Sequence, residues 1–173
     1  MEAKLLKPSA PAKREKPLKI RRVVTGHDPN GRAVVAIDET CKNVISRRAH
    51  HKSCVIWSTG EFPSDNADTQ DGGAREVATT DPNGTVFRLV EYGPGVAPRN
   101  HRTESIDYAV VMSGEIDMEM DGTTVHLQAG DVLVQRGTIH NWINRGQEPC
   151  VVAFVLVAAK PVEVAGQAMR ATN

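Results

Sequence analysis

Two histidines and one aspartate are the residues whose types and spacing could do chemistry. His101 and Thr103 are two positions apart, so on an extended strand their side chains point to the same side, as would that of Asp107 if the strand continues in register. His140 lies on a later element and shares a face with Trp142. Two imidazoles and one carboxylate with open positions are the ligand set of non-haem Fe(II) enzymes, and such donors also hold Zn, Mn or Ni. The alternative is that the histidines only form hydrogen bonds at the mouth of a barrel.

The sequence predicts that short β-strands position these residues. Glu115–Met120 alternates apolar and acidic residues, and the turn dipeptide Asp121-Gly122 follows it. Residues 107–112 are apolar after the first position, which is typical of a strand buried on both faces. No helix of convincing length is indicated, and strands with regularly spaced turns favour a sandwich or barrel. The predicted fold class is all-β, with antiparallel strands and little helix.

The chain divides into one domain and its flanking segments. Residues 1–19 are rich in lysine and proline and predict a flexible basic amino-terminal arm. Residues 20–160 predict a single β-barrel domain, in which residues 60–84 form a long loop or a lid over the site. His50 and His51 are predicted to lie in a loop. Residues 161–173 show little patterning and are expected to form a carboxy-terminal tail.

Composition excludes several classes of protein. The 173 residues carry a formal net charge of zero, which argues against nucleic-acid binding through a global positive field. No apolar run approaches the roughly 18 residues that a membrane span requires, and no secretory signal is evident. The three cysteines show no paired spacing, so a disulfide framework is not expected. We therefore expect a soluble, cytoplasmic protein that binds neither nucleic acid nor membrane.

Two glycine-bounded motifs resemble those of the cupin superfamily. The first motif keeps its spacing at Gly95, His101, Asp107 and Gly114. The second keeps its glycines, histidine and asparagine at Gly130, Gly137, His140 and Asn144, with a loop one residue short and Arg136 in place of proline. The match covers about 50 residues and the flanking strands fit the rest of such a domain. The resemblance implies a jelly-roll barrel. Residues 102–108 and 134–138 resemble a subgroup of small single-domain cupins, usually labelled only as cupin-domain proteins, whose fungal relatives are called oxidoreductases.

Two departures from the motif bear on metal binding. Cupins ordinarily hold a metal with three histidines and one glutamate. In this sequence Thr103 occupies the position of the second histidine, and Asp107 occupies the position of the glutamate. A hydroxyl is a poor ligand for a transition ion, and the shorter carboxylate must reach further or bind through water. The resemblance thus implies a divalent transition metal, Fe, Mn, Ni or Zn, held by His101, Asp107 and His140.

Three functions are compatible with these residues. The first is a metal-dependent cupin enzyme that acts on a small organic metabolite, with dioxygenase-like or oxidoreductase-like chemistry. The second is a metal-free isomerase, dehydratase or decarboxylase in which His101 or His140 is the general base. The third is a non-enzymatic cupin that binds a small molecule. The predicted substrate pocket consists of Thr103, Trp57, Tyr108, Gln135 and Trp142. Cupins usually dimerise, so the resemblance also implies a homodimer.

Overall fold

The computed structural model describes residues 18–172, and its regular structure consists entirely of β-strands and turns. The predicted amino-terminal arm therefore lies outside the described residues, apart from Leu18 and Lys19. Within residues 18–172 there is no helix long and apolar enough to cross a membrane. The predicted all-β class is confirmed.

The described chain contains thirteen strands. They are β1 (Arg21–His27), β2 (Ala33–Thr40), β3 (Ile45–Arg48), β4 (His51–Thr59), β5 (Thr85–Tyr92), β6 (Ser105–Ser113), β7 (Glu115–Met120), β8 (Thr123–Gln128), β9 (Val132–Arg136), β10 (Asn141–Ile143), β11 (Cys150–Ala158), β12 (Val162–Val164) and β13 (Gln167–Met169).

Two antiparallel sheets form the walls of the jelly roll. One has six strands in the order β3-β4-β5-β11-β6-β9, and the other has three in the order β10-β7-β8. The order is not sequential, because β11 lies between β5 and β6. Side chains alternate across each strand, so one face of each sheet is turned to a shared interior. The main core there includes Ile116 and Met118 of the small sheet and Val86, Val152 and Phe154 of the large one.

The outer face of the large sheet is covered over only part of its area. A second core packs Ile20 and Cys41 from the amino-terminal segments against Cys54, Ile56 and Leu89 of β4 and β5.

The other end of this face, on β6 and β9, remains exposed. The prediction that residues 107–112 are buried on both faces is therefore wrong, because Tyr108, Val110 and Met112 face outward and are 48%, 43% and 55% exposed.

The two segments predicted as irregular differ from each other. Residues 60–84 contain no strand, and Val77, Ala78 and Thr79 border the interior cavity described below. The predicted tail, by contrast, forms the β12–β13 hairpin, and Thr172 pairs with Arg102 through backbone hydrogen bonding.

Candidate functional site

The barrel encloses a cavity of about 380 Å³ between the inward faces of its strands. This volume lies within the range of small-molecule pockets. Much of the wall is apolar or aromatic, formed by Val55, Val90, Tyr92, Trp142, Phe154 and Leu156. His101, Thr103, Asp107 and His140 also line the cavity, so the structure brings the three predicted metal ligands to one space.

A backbone pair positions the two histidines. His101 N donates to His140 O at 3.0 Å, and His140 N donates to His101 O at 2.9 Å. Residues directly opposite each other in an antiparallel pair project their side chains to the same face. The two imidazole rings consequently lie 4.4 Å apart between centroids.

Backbone carbonyls also fix the tautomer of each ring. His101 Nδ1 lies 3.0 Å from Arg99 O, and His140 Nδ1 lies 3.0 Å from Thr138 O. A carbonyl can only accept, so each Nδ1 carries the hydrogen and donates it, leaving Nε2 with its lone pair. Burial, and next the neighbouring His140, lower the pKa of His101 to about 4, and burial lowers the pKa of His140. Both imidazoles are therefore neutral at pH 7, as a metal ligand or a general base must be.

Asp107 faces the same cavity but is held by neighbours of its own. Ser105 Oγ donates a hydrogen bond to Asp107 Oδ1, and Gln135 Nε2 donates to Oδ2 at 3.2 Å. Gln135 lies directly opposite Asp107 in the β6–β9 pair, and Ser105 is two residues away on the same face. Burial raises the pKa of Asp107 to about 6, and the Ser105 and Thr103 hydroxyls oppose that rise.

The donors fit a divalent ion in part. The tautomers of His101 and His140 present two Nε2 lone pairs to the cavity, which suits imidazole ligation. However, no group of three His, Cys, Asp or Glu side chains among residues 18–172 is arranged to hold an ion. Asp107, the predicted third ligand, is engaged by Ser105 and Gln135 instead. Two of the three predicted ligands therefore fit.

The five predicted pocket residues lie in different parts of the structure, and two of them line the cavity. Thr103 and Trp142 line the cavity, and Trp142 packs edge-on against Phe154 with ring centroids 5.5 Å apart. Gln135 lies behind Asp107 and acts on the cavity through that carboxyl group.

Trp57 and Tyr108 do not line the cavity, contrary to the prediction. A β-bulge between Val55 and Trp57 shifts the register of β4, so that Trp57 lies opposite the outward-facing Phe87. Tyr108 follows Asp107 on a regular strand, so its side chain points to the opposite, outer face.

Sequence reasoning missed four arginines and one histidine of the site. Arg47, Arg48, Arg88, Arg99 and His51 all line the cavity. His51, predicted to lie in a loop, begins β4 and pairs with Arg48 across the β3–β4 hairpin.

The signal for Arg88 was present in the sequence. It occupies the inward row of β5, in which Val86, Val90 and Tyr92 are buried at two-residue spacing. A charged residue within such an apolar row indicates a functional position, because burying a charge without a partner is costly.

Residues 88–157 match the Cupin_2 family, described as the Cupin domain. A relative from Aspergillus ruber, named cupin-domain-containing oxidoreductase fogC, is 34% identical over 161 residues, covering 87% of this chain and 78% of that protein. The chain therefore belongs to the cupin family.

Other relatives match over a shorter stretch. Phomopsin biosynthesis cluster protein C' of Diaporthe leptostromiformis is 49% identical over 88 residues, which are 50% of this chain and 47% of that protein. The match thus spans about half the length of that relative. A solved structure of a Klebsiella pneumoniae protein with a double-stranded beta-helix domain is similar at a TM-score of 0.47 and 20% identity, over 67% of this chain and 84% of that one.

Proposed function

We propose that this chain is a metal-dependent cupin enzyme that acts on a small organic metabolite in the barrel cavity, with dioxygenase-like or oxidoreductase-like chemistry at a divalent transition ion bound by His101 and His140. The observation that carries the proposal is the pair of neutral imidazoles whose Nδ1 atoms are tied to backbone carbonyls. Relatives named cupin-domain-containing oxidoreductases, including those of Aspergillus ruber and Hypocrea virens, support the reaction class.

The ion would supply Lewis-acid polarisation of a substrate oxygen or, if redox-active, an electron-transfer centre. Asp107 is the third ligand in this proposal if its carboxylate leaves Ser105. While bound to Ser105 and Gln135, it holds or releases a proton near neutral pH, because its pKa is about 6. Trp142, Phe154 and Leu156 exclude water from the wall beside it.

The proposal is tested by metal content. The untagged protein, purified without chelator, should contain near-stoichiometric iron, manganese, nickel or zinc by plasma mass spectrometry, and His101→Ala and His140→Ala should lose it. His126→Ala is the matched control, because His126 is 58% exposed and bonds Asp117 outside the cavity. Asp107→Asn decides the third ligand: loss of the ion assigns ligation to Asp107, and retention with lost turnover assigns it a proton-transfer role.

A second candidate is a metal-free isomerase, dehydratase or decarboxylase with His101 or His140 as general base. Two observations favour it: the described residues contain no three-ligand group, and Asp107 has a pKa suited to acid–base work. Absence of any ion after reconstitution, with turnover that survives a chelator, would contradict the metal proposal and support this one.

We also propose that the chain forms a homodimer through the exposed end of the large sheet. Tyr108 lies opposite Val134, and Val110 lies opposite Val132, so the exposed apolar side chains form one contiguous strip. Light scattering should give the mass of a dimer, and Val110→Lys should shift it towards a monomer. Val162→Lys is the control, because Val162 is equally exposed at 43% but lies outside the strip. A monomeric mass for the unmodified protein would overturn this proposal.

A further inference from the structure

The cavity contains many more positive than negative side chains. Arg47, Arg48, Arg88 and Arg99 line it, and Asp107 is the one acidic residue among the lining residues. The positive charge also acts on His51, because burial and then Arg48, Arg99 and Arg88 lower its pKa to about 4. This positive charge would attract an anionic substrate but would add nothing to the binding of a neutral one.

Within the described residues, Arg48 and Arg88 donate to backbone carbonyls rather than to carboxylates. Arg88 Nη2 donates to Ala78 O at 2.5 Å and Arg48 Nη1 donates to Ala97 O at 2.9 Å, both neutral acceptors. Between residues 18 and 172, no acidic side chain forms a salt bridge with Arg48, Arg88 or Arg99.

Buried polar atoms beside the cavity add a second, independent observation. Arg88 Nε and His51 Nδ1 are buried, and neither has a hydrogen-bond partner in the described part of the chain. Arg88 Nε can only donate and therefore lacks an acceptor, whereas His51 Nδ1 donates or accepts according to its tautomer. Arg88 lies on the cavity wall, where a ligand can bring that acceptor.

The rest of the wall defines the remainder of the ligand. Tyr92, Trp142 and Phe154 present aromatic rings, with Tyr92 and Trp142 stacked at 6.1 Å between centroids. An inorganic anion would leave these rings uncovered, whereas an apolar or aromatic body packs against them. The planar fork of a guanidinium matches a carboxylate in two parallel hydrogen bonds.

We propose that the cavity selects small organic carboxylates with an apolar or aromatic body, and that Arg48, Arg88 and Arg99 bind the carboxylate. Arg99 lies two residues before His101, and His101 donates to the Arg99 carbonyl. A carboxylate bound there places the adjoining carbon framework beside the His101–His140 pair. The inference rests on the proposed function for the reaction, but the binding itself requires no metal.

The test compares an acid with its neutral ester in the unmodified protein. Benzoate and methyl benzoate have the same aromatic body and differ in charge. Calorimetric titration should show benzoate binding about tenfold or more tightly, because hydrogen bonds to a charged group have that effect on affinity. Equal affinity for the two probes would overturn the proposal. So would failure of benzoate to bind at about 10 mM, which corresponds to a low ligand efficiency for a molecule of its size.

Variants then locate the carboxylate. Arg88→Met and Arg99→Met should each weaken benzoate about tenfold and leave methyl benzoate nearly unchanged. Arg136→Met is the matched control, because Arg136 is exposed at the end of β9 and does not line the cavity. Arg88→Lys should retain part of the affinity, since it keeps the charge but loses the fork. Arg99 is in a loop, so its variant remains informative if Arg88→Met fails to fold.

Two further readouts separate this inference from other outcomes. Inorganic phosphate that binds more tightly than benzoate would overturn the assignment to a carboxylate with an apolar body. Metal content of the arginine variants should equal that of the unmodified protein. If the histidine variants change neither metal content nor turnover, the proposed metal-dependent function is overturned. The carboxylate proposal is then still tested by the preference for benzoate over methyl benzoate.

Discussion

Arg22, on strand β1 of the amino-terminal hairpin, and Arg88, on strand β5 at the cavity, are two arginines with opposite surroundings. Arg22 is 6% exposed and is bound on several sides. Its two terminal nitrogens hold the Asp71 carboxylate in a fork at 2.7 and 2.8 Å, and Nη2 also donates to Glu39 at 2.5 Å. A fourth bond reaches Ile56 O at 3.3 Å. The Asp71 carboxylate is the largest influence that raises the pKa of Arg22 above its ordinary value.

Among residues 18–172, Arg88 has no comparable partners. A terminal nitrogen of Arg88 donates to a backbone carbonyl, and burial lowers the pKa of Arg88, the opposite direction to Arg22. The Asp107 carboxylate raises the pKa of Arg88, but less than Arg47 or Arg99 lowers it. The difference separates two uses of a guanidinium: Arg22 holds segments of the fold together, whereas Arg88 offers an unpaired charge to the cavity.

The largest effect should follow from removing Arg22. Arg22→Met breaks the bonds to Asp71, Glu39 and Ile56 O and leaves two carboxylates side by side. We expect the free energy of unfolding in urea to fall by about 2 kcal/mol. The estimate lies below the loss expected for a fully buried ion pair, because Asp71 and Glu39 are 34% and 40% exposed and can be solvated.

A matched control is available on the same strand. Arg21 binds Asp38 in a similar fork at 2.8 and 2.7 Å, but its side chain is 71% exposed. Arg21→Met should therefore leave the free energy of unfolding nearly unchanged. Equal losses for the two variants would mean that burial does not distinguish these ion pairs.

A smaller, pH-dependent effect should come from the Asp71 carboxylate. The hydrogen bonds from Arg22 lower the pKa of Asp71 below its ordinary value of 3.8. The stability that Asp71 contributes is therefore present above pH 3.8 and is lost as the pH falls through the lowered folded pKa. The unmodified protein should be more stable than Asp71→Asn at pH 7, by about 1 kcal/mol, and the difference should vanish in acid.

Urea unfolding of both proteins across the acid range measures this difference directly. Other carboxylates titrate in the same range, but they contribute equally to both proteins and cancel. A difference that stays constant from neutral pH into acid would show that the Asp71 charge does not stabilise the fold.

The fold was predictable because its signals are local. Alternation in Glu115–Met120 and the Asp121-Gly122 turn predict β7, β8 and their hairpin, which the structure confirms. Burial on the second face of β6 was not predictable from apolar residues alone. Hydrophobicity indicates that a surface can be covered, but whether a neighbour covers it depends on the rest of the fold and on partner chains.

The side chains that line the site were predictable only where side chains alternate regularly between the two faces of a strand. His101 and His140 line one cavity with their ring centroids 4.4 Å apart. Trp57 does not line it, because a single bulged residue reverses the parity that the sequence implies. The hydrogen bond from Gln135 to Asp107 depends on the register in which β6 pairs with β9. A single sequence does not specify that register directly.

The smallest effect on stability should come from removing Arg88. Arg88→Met loses the hydrogen bond to Ala78 O but also removes a partly buried charge that forms no salt bridge within residues 18–172. These changes oppose each other, so we expect the free energy of unfolding to change by no more than about 0.5 kcal/mol, or to rise. The same urea measurement on Arg22→Met and Arg88→Met makes the comparison quantitative. A loss for Arg88→Met as large as that for Arg22→Met would mean that both guanidinium groups are structural. A small change, together with weaker benzoate binding, is the result expected of a charge that the fold positions for a ligand at some cost to its own stability.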